Sequence, residues 1–239
     1  MIEKGDQFIK LLCAKMLAQL TVVPGLEEFL VLGGAIGIIQ ALIATQRIET
    51  IYYAVVSLAN IGPALGGPDA EQTLRIISGL SKHLDMKIYT NAYFYISIIT
   101  NFSRLEKFSS LLCDEGTLPI LLHMMDAFPS ISIVGLCVEA FVNLSANKKN
   151  RREIASSGIG NQLDKIFDVG TPLVKAYSLM MVGNLLGSNL FHDKIAREAL
   201  ITNMIEKLLD PYEPKQFVAV VFCISQLVQV DSSAPVVVH

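Results

Sequence analysis

Apolar residues recur along the chain in runs at helical spacing, and each run is interrupted late by one polar side chain. The stretch Ala-Phe-Val-Asn-Leu at 140–144 carries Asn143, and similar runs carry Asn60, Asn101 and Asn184. Asparagine is a mediocre helix former because its side chain competes for backbone hydrogen bonds. Its place inside apolar helical runs therefore needs a reason. Counted outward from Asn143, the amides fall at Gln19, Asn60, Asn101, Asn143, Asn184 and Gln226, with successive differences of 41, 41, 42, 41 and 42. All are primary amides in one register, which predicts an internal repeat.

The elements follow from the same pattern. Around Gln226 the residues Phe217, Val218, Val220, Val221, Ile224 and Leu227 cover most of a helix circumference, as in a buried central helix. Thr171-Pro172 supplies a cap and a first-turn proline for the helix carrying Asn184. Pro129 and Pro214 precede the helices of Asn143 and Gln226. Some 26 residues before the amides, Gly34, Gly116 and Gly158 open shorter apolar segments, with Leu74 and Leu200 at the equivalent places. Each repeat reads as a medium helix, a turn, a long buried helix and a short linking helix such as 150–155. Such modules stack into a solenoid with one continuous core. The predicted organisation is a single solenoid over 1–231, with repeats at 6–33 (truncated), 34–73, 74–115, 116–157, 158–199 and 200–231, and a flexible tail at 232–239.

Composition narrows the function. Hydrophobic residues make up 52% of the 239, and 19 basic residues face 22 acidic ones. That balance lacks the basic face a nucleic-acid binder needs. Cys13, Cys113, Cys137 and Cys223 form no CxxC pair; they read as small core residues of a reducing compartment. The four histidines are scattered, so neither metal nor cofactor is predicted. No secretory leader is read at the start. Charge-free runs at 29–46 and 50–68 are broken by glycines and prolines, which favours buried helices over membrane spans. No nucleophile–base pair or paired carboxylates stand out, so no enzyme is expected.

Two short motifs now carry a resemblance. Gly116-Thr117-Leu118-Pro119 opens one repeat, and Ala140-Phe141-Val142-Asn143-Leu144-Ser145 closes its long helix. The second motif returns in Ser57-Leu58-Ala59-Asn60 and Val182-Gly183-Asn184-Leu185. In these pieces and their register the chain resembles the armadillo-repeat proteins. The resemblance implies an all-α, right-handed superhelical solenoid of about five to six three-helix repeats. It implies a non-enzymatic scaffold whose third helices line a concave groove, with the repeated asparagines holding the backbone of an extended partner. Four such amides would span roughly 9–12 extended residues. The importin-alpha branch carries tryptophan one turn before the asparagine, where this chain has Val56, Ser97, Glu139, Met180 and Phe222 and no tryptophan at all. An importin-like receptor is therefore the alternative. The chain is also similar in size and content to small armadillo-only proteins, including one on the cytosolic face of the apicomplexan rhoptry. That likeness implies a cytoplasmic scaffold positioning an organelle, with a myosin or an adenylate cyclase as partner. It also implies membrane attachment through a lipid anchor outside this chain, since the Gly-Cys-Cys motif is missing from Met1-Ile2-Glu3.

The candidate groove residues are Asn60, Asn101, Asn143, Asn184 and Gln226, with Tyr52, Tyr93, Glu139 and Met180 beside them. An amide offers donor and acceptor together, so it can hold a peptide bond or equally brace the next repeat; both readings stand. Tyr52 and Tyr93 read as partner anchors or as packing between helices. Lys148, Lys149, Arg151 and Arg152 read as a basic patch for an acidic partner or anionic lipid, or as a solvated turn.

Overall fold

The computed structural model describes residues 7–186, 218–222 and 225–226. Among them every regular element is helical. The predicted tail at 232–239, Leu200 and Pro214 lie outside the described residues. The chain divides into two compact bodies, 1–115 and 116–239, and the division falls where the glycine-opened repeat at 116 begins.

The first body holds α1 (Gln7–Leu20), α2 (Glu27–Leu32), α3 (Ala35–Ile43), α4 (Ile48–Ile61), α5 (Gly67–His83), α6 (Tyr89–Ser103) and α7 (Glu106–Asp114). The amide-bearing helices α1, α4 and α6 pack in sequence, α1 on α4 and α4 on α6, with α3 against α4 and α5 against α6. Ile39, Leu42, Ile51, Leu58, Tyr95, Phe102 and Phe108 are fully buried between these layers. Phe102 and Phe108 meet edge to face at 4.9 Å. Burial raises the pKa of the Tyr95 phenol, an effect partly offset by its hydrogen bond with Ser81.

The second body holds α8 (Thr117–Ala127), α9 (Ile131–Ala146), α10 (Arg151–Ser156), α11 (Leu163–Val169) and α12 (Pro172–Leu186). Its helix starts are capped, at Thr171 as the sequence predicts and also at Ser130. Ser130 Oγ accepts from the Ile133 N–H at 3.3 Å, and Thr171 Oγ1 accepts from the Val174 N–H at 3.3 Å. Each satisfies one of the free donors at a helix start. The long helix α9 packs on α8 and α12, and α10 and α11 close against α12. Cys137, Phe141, Leu144, Leu179 and Val182 are fully buried. No single described helix is long and apolar enough to cross a membrane.

A left-handed glycine follows each linking helix by two residues: Gly34 after α2, Gly116 after α7 and Gly158 after α10, with φ of 82°, 76° and 97°. A side chain is strained in that conformation, so glycine ends the linking helix and re-aims the chain. At Leu74 the structure departs from the expected opening of a new helix. No glycine stands there, and the linking and medium helices fuse into the 17-residue α5, which starts at Gly67-Pro68 and buries Leu74 in its middle.

Candidate binding face

The repeated amides sit in the last turns of α1, α4, α6, α9 and α12, and Gln226 lies in the helical residues 225–226. Asn60 Nδ2 donates to Thr21 Oγ1 at 3.1 Å, and Asn184 Nδ2 donates to Ser145 Oγ at 3.0 Å. Both acceptors stand two residues after the amide of the preceding repeat, Gln19 and Asn143. Each hydroxyl spends its own proton on a carbonyl three residues back, Thr21 on Ala18 at 2.9 Å and Ser145 on Val142 at 2.8 Å. Its lone pairs are thereby left facing the next repeat's amide. Ser103, two residues after Asn101, is oriented the same way, onto Thr100 at 2.7 Å.

After Asn60 the same place is Gly62. A Cβ there would lie 3.0 Å from Leu105 Cδ1 and 3.5 Å from Phe102 Cε1, so apolar contact replaces the hydroxyl. Asn101, one repeat on, is exposed, and its Oδ1 accepts from Arg104 Nη1 at 3.1 Å.

Between α4 and α6 lies a pocket of about 480 Å³. Its walls include Tyr52, Val56, Tyr93, Phe94 and Ser97, with Asn101 at one end, and no charged residue lines it. Tyr52 and Tyr93 are 48% and 42% exposed, so their rings stand open to a partner. Tyr52 also leans on Phe94 at 5.4 Å, combining exposure with packing. The structure thus brings together three of the sequence-derived candidates, Tyr52, Tyr93 and Asn101. It adds Phe94, Val55 and Ile98, which no sequence motif singled out.

No family model matches the chain, and no curated protein matches it. Solved structures do. A designed armadillo repeat protein superposes with a TM-score of 0.78 at 20% identity, covering 95% of this chain and 96% of that one. A second, in complex with the peptide (KR)4, gives 0.76 at 19% identity over 94% and 95%. A computationally designed armadillo protein for modular peptide recognition gives 0.76 at 20% over 92% and 94%. The fold is the armadillo repeat.

The other candidates take their places on the armadillo framework. In the second body Glu139 and Asn143 are half-buried on α9, and Met180 is 36% exposed on α12, the helix packed against α9. Gln226 is half-buried. The basic stretch divides. Lys148, Lys149 and Arg152 are exposed. Arg151 instead caps the end of α9: its Nε donates to the Ser145 carbonyl at 2.9 Å, and burial lowers its pKa. Asn150, buried beside it, donates to the Leu144 carbonyl at 3.0 Å. Cations and amides suit a helix C-terminus, where carbonyls lack partners. Lys107 does similar work in the first body, donating to the carbonyls of Pro63 and Leu65 after α4. The hydroxyl ladder escaped the sequence reading, although the same ruler set two residues later reads Thr21, Gly62, Ser103, Ser145 and Leu186.

Proposed function

We propose that this armadillo chain is a non-catalytic scaffold that holds an extended segment of another protein along its amide-bearing helices. The observation carrying this reading is the α4–α6 pocket, where exposed aromatic rings and a carboxamide share one concavity. Aromatic anchors combined with a few placed polar groups are what peptide recognition uses. Two similar structures point the same way, one holding a peptide and one described for peptide recognition. Panning the chain against displayed random peptides of about ten residues tests the reading. Related peptides should emerge and, fitted with a photo-crosslinker, should label α4 or α6. Absence of any selected peptide refutes the scaffold.

The (KR)4 complex of a similar structure favours importin-like recognition of basic segments as a second reading. Calorimetric titration with (KR)4 separates the two: micromolar or tighter binding supports the importin-like role. The finer form of the scaffold reading places the chain in the cytoplasm on an organelle's surface, with a myosin or an adenylate cyclase as partner. Co-precipitation with each of those proteins, absent when the selected peptide competes, is the expected result.

A further inference from the structure

Resting on the scaffold reading, we infer that the α4–α6 pocket selects one large uncharged side chain of the partner, aromatic or branched aliphatic, and that Asn101, unlike Asn60 and Asn184, keeps its Nδ2 for the partner. Asn60 and Asn184 spend Nδ2 on a hydroxyl of the preceding repeat. Asn101 has no such hydroxyl, because Gly62 stands where one would be and Phe102 and Leu105 occupy the space. Arg104 is a pure donor, so its contact with Asn101 fixes which amide atom faces it: Oδ1 turns toward Arg104, and Nδ2 is left to donate to a partner carbonyl.

The pocket's chemistry selects the side chain. Ile48, Val55, Val56, Phe94 and Ile98 form its apolar walls, and the rings of Tyr52 and Tyr93 border its open side. Its volume of about 480 Å³ leaves room for a large side chain. A lysine or arginine entering it would find no carboxylate among the lining residues, and the Arg104 guanidinium beside Asn101. A buried charge without a counter-charge is strongly disfavoured. Tyrosine faces do attract cations, so basic peptides are the natural challenge to this inference.

The experiment pans displayed peptides on the wild-type chain and titrates those selected against Asn101→Asp, Tyr52→Ala/Tyr93→Ala and Ser145→Ala. Asn101→Asp keeps an acceptor for Arg104 while removing both Nδ2 hydrogens. The selected peptides should share one Phe, Tyr, Trp, Leu or Ile, and replacing it with Ala should weaken binding roughly tenfold. Asn101→Asp and the double tyrosine variant should weaken binding to a similar degree, with thermal midpoints close to wild type. Ser145→Ala should lower the midpoint and leave affinity unchanged. Selection of lysine- or arginine-centred peptides overturns the inference. So do selected peptides that bind Asn101→Asp as tightly as wild type. Either result leaves the scaffold standing; a wild-type chain that selects nothing removes both.

Discussion

At the residue scale, the repeated asparagine does two kinds of work, and one neighbouring position decides between them. Where that position carries Thr21 or Ser145, the following amide is tied to the preceding repeat. Where it is Gly62, the following amide faces solvent. Removing the tie should cost about 1 kcal/mol. Asn184→Ala and Ser145→Ala should each lower urea-denaturation stability by that amount, and the double variant should cost less than their sum. The helical circular dichroism of the folded state should persist. The cysteines give a second test. Cys113 and Cys137 are buried, and burial raises the Cys137 thiol pKa far above its usual range, whereas Cys13 is half-exposed. The thiolate is the reactive form. Iodoacetamide at neutral pH should therefore label Cys13 in the native protein and reach Cys137 only on unfolding, as read by peptide mass spectrometry. The amides were legible in the sequence because their period is regular. Their partners were less so, because a serine's role depends on which carbonyl takes its proton and on what packs against it.

At the element scale, the left-handed glycines punctuate the fold. Gly116 has φ of 76°, and the space a methyl group would take there is open. Gly116→Ala should therefore cost about 1 kcal/mol from backbone strain, without a steric clash. A shift in denaturation midpoint at unchanged slope is the expected readout. Truncation in the middle of a long helix should cost more. Phe141 is fully buried in α9, and Phe141→Ala should destabilise by about 3–5 kcal/mol. The helix start at Thr171 was legible because capping chemistry is local, whereas at α9 only Pro129 gave a sign and the Ser130 cap emerged with the structure. The fusion of two helices into α5 was not. Periodicity marked Leu74 as an equivalent place, while the break itself depends on a glycine at that place, where this repeat has leucine.

At the scale of the whole molecule, the armadillo fold was legible because six amides in register outweigh weak individual motifs. The pocket was legible only in part, since nothing in the sequence marks Phe94 and Ile98 until α4 and α6 are placed side by side. A pocket with no charged lining has a measurable signature. Affinity for an uncharged peptide should change by less than roughly twofold between about 50 and 500 mM salt, because screening acts on charge pairs that the pocket lacks. A steep fall with salt would instead indicate recognition through exposed cations such as Lys148, Lys149 and Arg152.

The carboxamide–hydroxyl tie has a direction: in both instances the earlier repeat supplies the acceptor and the later one the donor. That gives the array a grammar for duplication and shuffling. A module ending in Thr21 or Ser145 can precede any module that brings an asparagine, whereas one ending in Gly62 suits only a successor with bulk like that of Phe102 and Leu105. Gene rearrangements that respect this syntax would splice cleanly, and the Gly62 junction is where a transplanted successor would fit worst.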